Sequence, residues 1–201
     1  SAGIPAAIKD TIMVLPLNES AFELIEKHAS ELAGVMIEPV LGGGTIPVPK
    51  EFLQKLREVT QRCGVLLMFD EVITGFRLAL GGAQEYFGIT PDLATYGKVI
   101  GGGLPIGAVG CPKTMMDKVV SADFSIAIAG TFSGNPMTLA GGLAVINHLK
   151  NNPHVYTDLN RRGNYLRNEF NKYAQEKGWP AMMTGLGSMF QIHLSEKPIT
   201  Q

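Results

Sequence analysis

The sequence predicts an α/β fold whose central strands run parallel and are covered on both sides. Two observations carry this expectation. Amphipathic helices alternate with short strands that are apolar on both faces, and glycines cluster where the apolar runs end. Of the 201 residues 45 % are apolar and only 17 % are charged, which excludes a disordered or highly solvated chain. That length holds one domain, or one large domain and part of a second.

Residues 20–33 place Phe22, Ile25, Ala29 and Leu32 at helical spacing, with Glu23, Glu26, Lys27 and Glu31 elsewhere, and predict an amphipathic helix. The apolar run Gly34-Val35-Met36-Ile37 follows as a buried strand, ended at Glu38-Pro39 because proline has no N–H to continue a ladder. Residues 50–63 repeat the plan, with Phe52, Leu53, Leu56, Val59 and Cys63 on one face and Pro49 near the first turn. Gly64 is the expected stop. Val65-Leu66-Leu67-Met68-Phe69 then forms a second buried strand that ends in Asp70-Glu71. Leu93-Ala94-Thr95-Tyr96 leads to Gly97-Lys98, and Ile106-Gly107-Ala108-Val109 leads to Gly110-Cys111; these two runs are close enough in sequence to pair directly, in either direction.

A helix is expected over 136–150, and Asn151-Asn152-Pro153 interrupts it. Leu159, Leu166, Phe170 and Tyr173 then outline a long amphipathic helix closed by Gly178-Trp179-Pro180. A domain boundary is therefore expected near 151–153, giving 1–152 as part of a large domain and 153–201 as a connecting helix and the start of a smaller α/β unit. The chain begins without methionine and ends after the strand expected at 189–194, as a fragment would.

Charge narrows the function classes. With 17 basic and 18 acidic residues dispersed along the chain, the net charge of −1 carries no footprint of a nucleic-acid or anionic-membrane binder. No apolar stretch reaches the ~18–20 residues of a membrane span. Cys63 and Cys111 make no CxxC, and the four histidines make no HExxH, so neither a disulfide framework nor a metal site is expected. The expectation is a soluble, cytoplasmic protein whose partners are small molecules and protein neighbours.

Ligands of open α/β sheets sit beyond the carboxyl ends of the strands, which directs attention to Glu38, Asp70 and Lys98. Asp70 follows five apolar residues, and a partly desolvated carboxylate calls for a cation or strong donors. Lys98 precedes Val99-Ile100-Gly101-Gly102-Gly103, where glycines let a bulky ligand approach the backbone, and a desolvated lysine forms Schiff bases readily. The plainer alternative is that Asp70 and Lys98 pair with each other or cap nearby backbone groups. Gly130-Thr131-Phe132-Ser133-Gly134-Asn135-Pro136 suits an anion at a helix N-terminus, or simply a Ser/Asn cap with proline in the first turn. Gly101 to Gly107 does not spell GxGxxG, and Gly97-Lys98 lacks the hydroxyl residue of a P-loop, so a nucleotide fingerprint is absent.

Taken together, Phe69-Asp70-Glu71-Val72-Ile73-Thr74-Gly75-Phe76-Arg77, Gly81-Gly82-Ala83-Gln84, Pro91-Asp92-Leu93, the stretch from Gly97-Lys98 to Gly107, and Gly130 to Pro136 closely resemble the class III pyridoxal-phosphate aminotransferases, and most nearly the glutamate-1-semialdehyde aminomutases. The likeness runs over essentially the whole chain, with the motifs in family order. It implies the aspartate aminotransferase-like large domain of fold type I, a three-layer α/β/α structure, followed by the start of a small C-terminal domain. It implies pyridoxal 5′-phosphate as cofactor, Lys98 as the Schiff-base lysine and proton carrier, Asp70 on the pyridine nitrogen, and Val72 against the ring. Thr131 would reach the cofactor phosphate of a neighbouring subunit, in a homodimer with shared sites.

The implied activity is amino transfer between an amine or amino acid and a carbonyl compound. The alternatives are intramolecular transfer on glutamate-1-semialdehyde and, from another class, a catalytically silent dimeric binding module. One departure bears on this choice. At Glu38-Pro39-Val40-Leu41-Gly42-Gly43-Gly44, many class III transaminases carry glutamate where Gly43 stands and the aminomutases carry asparagine, which admits kinship with enzymes of β-amino acids or acyl chains.

Overall fold

The structure, a computed structural model, describes residues 3–120, 130–195 and 199. After a short N-terminal helix, α1 (Ala6–Lys9), the chain alternates α2 (Ser20–Lys27), β1 (Gly34–Ile37), a small hairpin of β2 (Val40–Leu41) and β3 (Ile46–Pro47), α3 (Lys50–Cys63), β4 (Leu66–Glu71), α4 (Gly82–Phe87) and β5 (Leu93–Gly97). A 3₁₀ turn over Lys98–Gly101 leads to β6 (Gly107–Gly110) and α5 (Lys113–Val120). Two long helices follow, α6 (Pro136–Asn151) and α7 (His154–Glu176), and then the hairpin β7 (Ala181–Leu186) and β8 (Met189–Leu194).

The main sheet has the order β1-β4-β5-β6. Its first three strands are parallel, in a register that sets Ile37 opposite Phe69 and Asp70 opposite Thr95. β6 runs antiparallel to β5, with Gly97 opposite Gly107. This settles the direction that the sequence leaves open: residues 98–106 are fewer than the dozen or more that a parallel crossover needs.

The α-helical periodicity is met on one face of this sheet. Phe22 and Ile25 of α2, with Leu53, Leu56 and Val59 of α3, pack on Val35, Leu67, Phe69 and Ala94. The Phe22 and Phe52 rings join the two helices at 4.9 Å. Gly64 ends α3 in the left-handed conformation at φ 68°, as the sequence predicts. The helix expected over 20–33 is shorter: it stops at Lys27, where His28 leaves helical geometry at φ −108°. The carbonyl of His28 still accepts from the N–H of Glu31 and of Leu32, so the chain stays coiled and Leu32 still reaches the core. On the opposite face Met36, Leu66 and Val109 are exposed, so among the described residues the sheet is covered fully on one side only.

α7 and the β7–β8 hairpin fasten to the loop after β4. The Tyr156 hydroxyl donates to the Phe76 carbonyl at 3.0 Å, Asn160 Nδ2 to the Leu78 carbonyl at 3.1 Å, and an Arg77 guanidinium nitrogen to the Ser188 carbonyl at 3.1 Å. Burial, with the charge of Glu85 as a smaller contribution, pushes the Tyr156 phenol above its ordinary value, so it remains a donor at neutral pH. Asn171 holds β7 through both backbone groups of Met183, and Met189 enters the main core.

Candidate active site

Two neighbouring parallel strands deliver the polar residues of the site. β4 is apolar until its last two residues, Asp70 and Glu71, which therefore emerge at the carboxyl edge on opposite faces. β5 ends at Gly97, and Lys98 is the next residue. Asp70 is half-buried. Its Oδ1 accepts from the Val72 N–H and from the Thr95 hydroxyl, each at 3.0 Å. Both bonds fall on one oxygen, and Oδ2 has no hydrogen bond among the described residues. A carboxylate fixed through one oxygen with the other left free is arranged to receive a donor from a ligand.

Lys98 is exposed and forms no ion pair among the described residues, so the plain alternative of an Asp70–Lys98 bridge is not what the fold builds. The backbone capping half of that alternative is present, through Val72. Lys98 sits at φ 50°, in the left-handed region that side-chain-bearing residues seldom occupy. Its turn is gripped by α6. A Cβ placed on Gly142 would stand 2.2 Å from the Ile100 carbonyl oxygen, and one on Gly102 would stand 2.4 Å from that of Gly141. Helix and turn thus meet backbone to backbone. Val72 lies beside this root, its Cγ1 3.3 Å from where a Cβ on Gly97 would be. Asp70, Val72 and Lys98 are brought together at one sheet edge.

Thr131 is not among them. It lies exposed in the turn before α6, lining a cavity of about 420 Å³ with Ile106, Gly107 and Thr138 that none of Asp70, Val72 or Lys98 lines. The helix start is capped by Asn135, whose Oδ1 accepts from the Met137 and Thr138 N–H groups at 3.0 and 3.3 Å, with Pro136 in the first turn. The capping reading of this segment is therefore observed, and it leaves the Thr131 and Ser133 hydroxyls outside the cap.

Glu71 is a positioning residue that sequence reasoning passed over. It is fully buried, and both its oxygens accept: Oε2 from the Thr74 hydroxyl at 3.0 Å and the Ala83 N–H at 2.5 Å, Oε1 from Gln84 Nε2 at 2.9 Å. Gln84 Nε2 also donates to the Tyr96 hydroxyl at 2.8 Å. Burial raises the Tyr96 phenol above its ordinary value; the Gln84 hydrogen bond opposes this and the Glu71 charge adds to it. The chain Glu71–Gln84–Tyr96 ties the loop carrying Val72 to β5, two residues before Lys98. The signal was strand alternation, which puts Glu71 on the same side as Leu67 and Phe69, facing the core. Glu71→Ala strips the partners from several buried donors at once and is expected to lower stability by about 3 kcal/mol in urea titration; a loss below ~1 kcal/mol would show that the network is dispensable.

The chain matches the family model described as aminotransferase class-III over residues 8–201. It is 46 % identical over 201 residues to the glutamate-1-semialdehyde 2,1-aminomutase of Sulfurihydrogenibium sp. (strain YO3AOP1), a match that spans 98 % of this chain and 46 % of the relative. Among solved structures it resembles an omega-transaminase from Sphaerobacter thermophilus, at a TM-score of 0.88 and 40 % identity, over 98 % of this chain and 46 % of that one. It also resembles a transaminase with PLP bound, at a TM-score of 0.87 and 30 % identity, over 96 % and 46 % of the two chains. The chain spans about half the length of the curated relatives it matches.

Proposed function

The chain belongs to the class-III aminotransferase family, a pyridoxal-phosphate-dependent family of fold type I, and on that premise we propose that the full-length protein transfers an amino group between an amine and a carbonyl compound. The observation that carries this reading is the Asp70 carboxylate, fixed through Oδ1 and open at Oδ2 among the described residues, on the strand beside β5, whose last residue is followed by a Lys98 that forms no ion pair among the described residues.

These residues fit pyridoxal phosphate. The cofactor, when bound, supplies an electron sink for a substrate carbanion. Asp70 Oδ2 would accept from the pyridine nitrogen and keep it protonated. Lys98 Nζ would hold the cofactor covalently at rest and, as a free amine, take up and return the substrate proton. Val72, packed beside Gly97, would rest against the ring.

Thr131 fits a site shared between subunits. Around its turn and along the start of α6, Phe132, Met137 and Leu143 are 83, 73 and 61 % exposed, an apolar face that a second copy would cover while Thr131 met the partner's cofactor phosphate. Residues 153–201 would then open the small domain of each subunit.

A second reading is favoured by the aminomutase relative: intramolecular transfer on glutamate-1-semialdehyde, which needs no separate amino acceptor. Turnover of that compound alone supports the mutase; turnover only with an added donor and acceptor supports the transaminase.

The test of the common premise is chemical. The full-length protein, mixed with pyridoxal phosphate and reduced with borohydride, is expected to carry the label on Lys98, read by peptide mass. A folded protein labelled elsewhere or nowhere overturns the reading and leaves the binding module in its place.

A further inference from the structure

The turn 42–45 reads in the sequence as a glycine-rich bend, yet in the structure it is held from outside. β1 lies beside β4 with Ile37 opposite Phe69, so Glu38 leaves the sheet next to Asp70. Glu38 Oε2 accepts from the Gly42 N–H at 2.8 Å, and a Cβ on Gly42 would stand 2.9 Å from Ile73 Cδ1. The β2–β3 hairpin therefore carries its turn along the carboxyl edge, beside the loop that starts with Val72. Gly43 is the exposed tip, with nothing within 4 Å of where its Cβ would be.

The far side of the turn is strained, with Gly44 buried and Thr45 half-buried. Gly44 sits at φ 98°, and Thr45 takes φ 49°, a conformation that a β-branched residue keeps only when its surroundings impose it. The imposing contact comes from the C-terminal hairpin. The Thr184 hydroxyl donates to the Gly44 carbonyl. His193 Nε2 lies 3.1 Å from that carbonyl and 2.8 Å from Thr184 Oγ1. The Thr184 hydroxyl commits its hydrogen to the carbonyl and a carbonyl only accepts, so both contacts of Nε2 are met by the tautomer that carries the proton there, shared between Thr184 Oγ1 and the carbonyl. Two side chains, 140 and 149 residues further along, thus occupy one buried carbonyl.

We propose that Thr184 and His193 are positioning residues that lock the 42–45 turn as a substrate-facing wall of the site, an inference that rests on the amino-transfer reading above. Neither residue touches Asp70, Val72 or Lys98 through any hydrogen bond among the described residues, so their loss displaces the wall and leaves the cofactor residues in place. The open space at Gly43 is then the width that this wall grants to a substrate side chain.

The test uses the full-length holoprotein and three variants: His193→Ala, His193→Gln, whose amide nitrogen reaches the Nε2 position, and Thr184→Val, which keeps the shape and removes the donor. Hydrogen exchange is followed in peptides covering 38–48. Exchange at least tenfold faster in the Ala and Val variants, largely restored by Gln, is the expected result, and unchanged exchange overturns the clamp. Steady-state kinetics with 1-phenylethylamine plus pyruvate, and with glutamate-1-semialdehyde alone, then read the wall. KM is expected to rise at least fivefold with kcat within twofold and the cofactor's visible absorbance retained. An unchanged KM, or a fall in kcat with loss of that absorbance, overturns the positioning role. A wild type that turns over neither probe and takes no label at Lys98 overturns the amino-transfer reading itself, while the exchange data still decide the clamp. Should His193→Ala fail to fold, Thr184→Val decides both arms.

Discussion

Lys98→Ala in the full-length protein is expected to lower kcat by roughly a thousand-fold or more, the scale on which removing a proton-transferring side chain acts, and to abolish the borohydride label. The position bears on whether a neighbour compensates: Lys98 directly follows β5, and Arg77, a cation of the loop after β4, is engaged by the Ser188 carbonyl. Lys98→Arg separates charge from chemistry. It keeps the cation but has no amine that loses a proton near neutrality, so it is expected to be as inactive as alanine; activity recovered by arginine would mean that the site needs only a positive charge there.

The same residue makes a second, independent prediction about stability. At φ 50° a lysine or alanine bears a left-handed penalty of roughly 1–2 kcal/mol that glycine does not. Lys98→Gly is therefore expected to be about 1 kcal/mol more stable than Lys98→Ala, with both inactive. Urea titration of the two cofactor-free variants measures the difference, and equal stabilities would show that the turn relaxes once the lysine is gone. Strain retained at a residue needed for chemistry is the pattern expected of a functional site.

How much of this was legible in the sequence follows from range. β4 and α3 are legible because a run of apolar residues and a 3.6-residue periodicity are local, and Asp70 stands out as the first charge after such a run. Lys98 is legible for the same reason, as a cation between a strand and a glycine triplet. The direction of β6 was open because apolar alternation is indifferent to strand polarity; the short connection decides it. Glu71 is adjacent to Asp70 yet was missed, since its partners are Thr74 in the loop after β4 and Ala83 and Gln84 at the start of α4, and only tertiary structure brings that loop and helix back onto it. The Thr184–His193 contact with Gly44 spans most of the chain, and no local pattern encodes it.

Gly142→Ala is the sharpest test of how Lys98 is held, because two physical effects give it opposite signs. In a helix interior, alanine is favoured over glycine by about 1 kcal/mol, so propensity alone predicts a more stable protein. Against this, the added Cβ would lie 2.2 Å from the Ile100 carbonyl oxygen, a backbone atom that cannot swing aside. Overpacking of this kind costs up to about 3 kcal/mol, so the net expectation is a loss of about 2 kcal/mol. The displaced atom belongs to the turn over Lys98–Gly101, so the damage should reach function as well, with Lys98 labelled more slowly than in the wild type at equal cofactor. Gly141→Ala is the internal control: its Cβ would meet the Gly101 carbonyl oxygen at 3.2 Å, a contact relieved by a few tenths of an ångström, so propensity should offset most of the cost. A Gly142→Ala protein as stable as the wild type and labelled at the same rate would mean that α6 merely lies against the turn; a destabilised one, beside a near-neutral Gly141→Ala, would show that the backbone contact between α6 and Ile100 sets where Lys98 stands.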